Sequence, residues 1–247
     1  MGLLDRLADK LEGKGRTILY GFGALVALGL LVWFWTARNE RKAQEAYRAL
    51  GHAIEVSSAP VTPSPTPGST ELSFMSEKDR AERAVKEFQA VAAKYDDPKA
   101  KYFVAVNKLS VNRPEAISEL EQLSKSGDDE VATMAKFALA QAKEEDGQFD
   151  AAATLYNELA QKNNSILPSD TVRLSLATMY EKQGKTKEAV DLLFKIVEEA
   201  RKARDPEGKP MLQSAAAANA ATKLEKLDAA RYAQLPKEET PPSDFPM

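Results

Sequence analysis

The chain has 247 residues, a formal net charge of −3, one histidine and no cysteine. Without cysteine it has no disulfides, thiolate metal ligands, cysteine nucleophiles or lipidated-cysteine anchor. The lone histidine, His52, argues against catalytic dyads and imidazole metal sites, and the near-neutral charge gives no global pull toward nucleic acid or anionic lipid.

Residues 1–16 are short and charged. Leu3, Leu4, Leu7, Ala8 and Leu11 recur at helical spacing opposite Asp5, Arg6, Asp9 and Lys10. That pattern fits either an amphipathic helix on a membrane surface or a solvated tail. Residues 17–37 carry no charge and include Leu19, Leu25, Val26, Leu28, Leu30, Leu31 and Val32. At about 1.5 Å per helical residue, such a stretch covers roughly the 30 Å hydrocarbon core of a bilayer. Trp33, Phe34 and Trp35 gather at one edge and Tyr20 lies near the other, as aromatics do at membrane–water boundaries. A cleaved signal has a shorter apolar region and a small-residue exit, which this segment lacks. The expectation is a single-pass transmembrane helix over 17–37.

Its orientation is finely balanced. Arg6, Lys10, Lys14 and Arg16 precede it, and Arg38, Arg41, Lys42 and Arg48 follow it. A cation-rich N-terminus is hard to translocate, whereas a long C-terminal domain crosses largely regardless of its charge. This places 1–16 in the cytoplasm and the bulk of the chain outside it, with a cytoplasm-facing module as the alternative.

Residues 38–56 keep the helical period, with Ala43, Ala46, Tyr47, Leu50, Ala53 and Ile54 as the apolar stripe. Tyr47, Leu50 and Ile54 are expected to pack against the helix carrying Phe88, and His52 reads as an ordinary helix-surface residue. Residues 57–75 hold Pro60, Pro63, Pro65, Pro67 and Gly68, which leaves an extended, Pro-rich linker. Residues 76–235 form a helical domain. Ser76 opens its first helix with Asp79 three residues on, and Ala84, Phe88, Val91 and Ala92 form the stripe. Pro98 breaks the pattern. The next helix, over 99–110, carries Phe103, Val104, Val106 and Leu109. Asn112 is expected to cap the following one, with Glu115 at the box position and Ala116, Ile117, Leu120 and Leu123 as its apolar face. Pro206, Gly208 and Pro210 break the chain again before a final helix with Leu212, Ala216, Ala220, Leu224 and Leu227. Residues 236–247 are Pro-rich and acidic, the composition of a disordered tail. No alternation of period two marks a strand, so the fold class is all-α.

Sliding the chain against itself exposes a repeat. Leu139-Ala140, Gly147, Ala152 and Tyr156 align with Leu176-Ala177, Gly184, Ala189 and Leu193 at a constant offset of 37 residues. The unit reads as a helix, a glycine turn at φ > 0, and an antiparallel helix, with small residues where the pair approaches closely. These residues resemble the tetratricopeptide repeat (TPR) family. Leu176-Ala177, Tyr180, Gly184 and Ala189 carry the likeness best. In the preceding copy Lys143 replaces an aromatic. Phe103-Val104, Ala116 and Leu120 form a degenerate third copy without a turn glycine. Ala84 and Phe88 resemble the second helix of a fourth, whose first helix is 38–56.

The resemblance implies an α-solenoid of antiparallel helix pairs behind the transmembrane helix. The whole layout is similar to the YfgM type of membrane-anchored TPR protein. That likeness implies an ancillary subunit of the bacterial SecYEG translocon, facing the periplasm and paired with the membrane-anchored chaperone PpiD. A scaffold for another envelope assembly, in division or cytochrome maturation, is the competing reading.

No motif for chemistry stands out. The acidic clusters at 128–130 and 144–146 lack the spacing of a calcium loop, the serines lack a base, and the basic residues form no stripe. The expectation is therefore no enzyme, no metal, no cofactor and no nucleic acid, with protein binding as the role. By the family register, Met134, Phe137 and Gln141, then Leu174, Thr178 and Glu181, face a concave groove, joined by Lys101, Ala105 and Lys108 from the degenerate copy. Phe137 and Leu174 have neighbour packing as an equal alternative. The Lys/Asn carboxylate clamp of some family members is not reproduced at Phe137, Gln141, Leu174 and Thr178.

Overall fold

A computed structural model describes residues 40–62, 72–162 and 166–239. The expectations for 1–16 and 17–37, for the middle of the Pro-rich linker and for most of the tail fall outside these residues. Among the described residues no helix is long and apolar enough to cross a membrane.

The described chain is all-helical. Its elements are α1 (40–58), α2 (Glu77–Tyr95), α3 (Pro98–Lys108), α4 (Arg113–Leu123), α5 (Asp129–Glu145), α6 (Phe149–Gln161), α7 (Ser169–Lys182), α8 (Thr186–Lys202), α9 (Ala215–Leu227) and α10 (Ala229–Tyr232). Local chemistry sets most of the boundaries. The Ser76 hydroxyl accepts from the Asp79 N–H, Asp97 accepts from the N–H groups of Lys99 and Ala100, and Asp128 accepts from Val131. Each such cap satisfies an orphan donor of the first turn. Asn112 departs from expectation: its side chain makes no cap bond, and its amide instead donates to Glu115 at 2.7 Å.

Helices pack chiefly with their neighbours in the chain, and four apolar clusters follow one another along the sequence. The first joins Leu50, Ala53 and Val56 of α1 to Ala84, Phe88 and Val91 of α2 and to Val104 of α3. Here Phe88 stacks on Phe103, with centroids 4.9 Å apart. Thus α1 packs into the array across the linker, but through Leu50, Ala53 and Val56. Tyr47 and Ile54, expected in that contact, are instead 75% and 41% exposed.

Small residues set the spacing. Ala84, Ala116, Ala152 and Ala189 are fully buried on successive even-numbered helices. One turn later on the same face come Phe88, Leu120, Tyr156 and Leu193, none more than 1% exposed. On the odd-numbered helices Ala53, Ala105, Ala140 and Ala177 are likewise fully buried. This corrects the register of the degenerate copy, in which Val104-Ala105, not Phe103-Val104, occupies the place of Leu139-Ala140.

The glycine turns repeat in geometry as well as in sequence. Gly147 and Gly184 have φ of 72° and 73°. Gln148 donates to the Lys143 carbonyl at 2.8 Å, and Lys185 to the Tyr180 carbonyl at 2.9 Å. The residues after the glycines, Gln148 and Lys185, adopt φ/ψ of −84°/62° and −83°/61°. A five-residue-back bond over a left-handed glycine closes the helix C-terminus and reverses the chain in one step.

Candidate binding groove

Skipping one helix reveals two rows. α3 touches α5 and α7 touches α9, whereas no two even-numbered helices come as close among the described residues. On these two contacts, and on the Lys182–Glu144 bridge from α7 to α5, we take the odd-numbered helices as the inner row and α2, α4, α6 and α8 as the outer one.

The inner row carries an open hollow of about 340 Å³ lined by Leu174, Ser175, Thr178, Asn219, Thr222, Lys223 and Glu144. Its charges are bound in pairs. Lys223 of α9 bridges to Glu181 of α7 at 2.8 Å. Lys182 of α7 bridges to Glu144 of α5 at 2.9 Å. Glu144 also accepts from the Tyr156 hydroxyl at 3.3 Å. Burial, and then the Glu144 carboxylate, push that phenol well above its ordinary range, so Tyr156 stays neutral.

Of the residues singled out in the sequence, Leu174 and Thr178 line this hollow and Glu181 stands at its rim. Phe137 is partly buried and meets Tyr156 of α6 edge-on, with centroids 5.8 Å apart, as part of the cluster that joins α5, α6 and α7. Met134 is partly buried and Gln141 exposed on α5. The degenerate copy behaves differently. Ala105 is fully buried in the core. Lys101 and Lys108 turn away, into a separate hollow of about 540 Å³ on the outer side, lined with Ala92, Ala93, Val104 and Leu123. The one-residue register shift of α3 accounts for this displacement.

Lys108 is only 9% exposed. Burial pulls its ammonium down, but salt bridges of 2.6 Å to both Glu115 and Glu119 more than offset that and raise it overall. Such a pair of partners is what permits a lysine to be buried at all.

The acidic clusters act as structural charge. Glu145 and Asp146 hold Arg113 at 3.0 and 2.7 Å, Asp129 pairs with Lys162, and Glu130 with Lys99 at 2.8 Å. No group of three or more potential metal ligands gathers among the described residues.

Sequence reasoning missed Asn219, Thr222 and Lys223. Their i, i+3, i+4 spacing on the otherwise alanine-rich α9 was the available signal. Comparison with protein-family models, curated proteins and solved structures finds no match.

Proposed function

We propose that this chain is a non-enzymatic, membrane-anchored interaction module of tetratricopeptide-repeat type, whose inner row binds another protein. The observation that carries the reading is the pair of superimposable glycine turns, with φ of 72° and 73° and matching hydrogen bonds. A unit that recurs in sequence, turn geometry and alanine spacing is the mark of a helical solenoid, which presents an extended concave binding surface. The hollow between α7 and α9 supports the same reading, because it joins hydrogen-bonding groups to one apolar side chain, Leu174.

The apolar stretch 17–37 supplies the anchor, and its flanks favour an N-terminus in the cytoplasm with the array in the periplasm. There the partner is a translocon component or a periplasmic chaperone. Filling the hollow tests this. The full chain and its Thr178→Trp variant are purified in mild detergent and their copurifying proteins quantified. Loss of a discrete partner from a variant that keeps its helical circular dichroism supports the reading. An unchanged partner set moves the interface elsewhere.

A further inference from the structure

The helices alternate in direction, so their ends form two edges of the array. One edge carries the N-termini of α1, α3, α5, α7 and α9 and the C-termini of the even-numbered helices between them. Polar contacts run along this edge. Glu45 of α1 pairs with Lys94 of α2 at 3.8 Å, Lys99 of α3 with Glu130 of α5 at 2.8 Å, and Asp129 of α5 with Lys162 of α6. Ser214, which caps α9, donates to Asp170 of α7. The edge is therefore continuous from the start of α1, where residues 1–39 join the array, to the connector between α8 and α9.

That connector carries Leu212, the most exposed large apolar residue among those described at 83%, with Met211 beside it at 50%. It is an ordered hairpin. The Asp205 N–H donates to the Lys209 carbonyl at 3.0 Å, and the Met211 N–H to the Ala203 carbonyl at 3.2 Å. The Asp205 carboxylate accepts from the N–H groups of Glu207 and Lys209, and Gly208 takes a φ of 81°. Arg204 and Lys209 balance Asp205 and Glu207 in charge. A fixed hairpin that holds two adjacent apolar side chains in water, with no excess charge, suits an apolar surface rather than an anionic one.

We propose that this hairpin is a second membrane contact, with Leu212 and Met211 set into the lipid interface. Its place in the fold carries the inference. The chain outside the described residues ends at Glu40 on this same edge, and the stretch 17–37 within it reads as a bilayer span. With about 8–10 Å between packed helices, the odd-numbered row sets the hairpin roughly 40 Å from α1 along the edge. Two such side chains do not hold a soluble chain on a membrane, but the anchor makes the contact intramolecular. Tethered at one end and seated at the other, the array lies with this edge on the bilayer and its inner row open along the membrane plane. This rests on the membrane-anchor reading and adds an orientation to it.

The chain has no cysteine, so Met211→Cys and Met75→Cys each place a single fluorescent label. The first is on the hairpin and the second at the opposite edge, where Met75 is 66% exposed. The full-length variants are reconstituted into phosphatidylcholine vesicles carrying a nitroxide at the lipid interface, and flotation with the vesicles is measured alongside. The nitroxide is expected to quench the hairpin label about twofold or more, since an interfacial apolar contact sits about 5–10 Å deep. The Met75 label stays unquenched, and adding Leu212→Glu to the Met211→Cys chain abolishes the effect while helical circular dichroism is kept. Anionic lipid and high salt leave the quenching unchanged. Quenching that needs anionic lipid, or that strikes both labels alike, overturns the proposal. An unquenched hairpin label on a chain that floats sinks this inference and leaves the anchor standing, whereas a chain that does not float overturns both. A hairpin label shielded only when other membrane proteins are present makes this a protein contact and contradicts the lipid assignment.

Discussion

Replacing a turn glycine with alanine isolates one physical term. At Gly147 and Gly184 an added Cβ meets nothing within 4 Å, so no clash contributes. What remains is the backbone conformation, φ near 72°, which disfavours an L-residue by about 1–2 kcal/mol. Gly147→Ala and Gly184→Ala are each expected to lose about 1 kcal/mol. For a domain of this size that is roughly 2–4 °C in Tm. Because the two turns share their dihedrals and hydrogen bonds, the losses should match. Gly51→Ala is the control: it lies within α1 with open space around it, and removing a mid-helix glycine gains about 0.5–1 kcal/mol. Thermal melts of the full chain in micelles, followed by circular dichroism, read all three. Unchanged melting of both turn variants, or a loss in one and not the other, refutes the argument that these are equivalent left-handed turns.

Other perturbations reach other parts of the structure. Leu50→Ala removes a buried contact of α1 and should lose about 2–3 kcal/mol, while Tyr47→Ala, at a 75% exposed position, stays within about 0.5 kcal/mol; denaturant titration separates them. Tyr156→Phe should lose about 1 kcal/mol at neutral pH with the hydroxyl's bond to Glu144. Burial raises the folded phenol above its ordinary 10.0, so its contribution is full below pH 10 and is lost as pH rises through the folded value. The deficit of the phenylalanine variant should therefore shrink above pH 10, and a constant deficit across that range counts against the assignment. A phosphatase active only in the periplasm, fused after Met247, should show activity, and activity of a cytoplasm-only reporter instead reverses the topology.

What the sequence revealed depended on how local the cause was. Helical period, breaks at Pro98 and Pro206 and the left-handed glycines are written in adjacent residues, and the all-α class and the two turns followed from them. The register of α3 slipped by one because that copy has no glycine to anchor it, and Lys101 and Lys108 were assigned to the inner row as a result. Tyr47 and Ile54 read as core because an apolar stripe does not distinguish a packed face from an exposed one. The hollow itself was hidden, since only tertiary packing sets Asn219 of α9 opposite Thr178 of α7.

The central claim is that the inner row binds another protein. A photo-crosslinking amino acid placed singly at Thr178 or Asn219, and for comparison at Gln89 or Ala93 on α2, tests it in the native membrane. The account predicts discrete adducts with another polypeptide from the two inner positions and none from the outer pair. Adducts from Gln89 or Ala93 with none from Thr178 and Asn219, or no adduct at any of the four, contradict it.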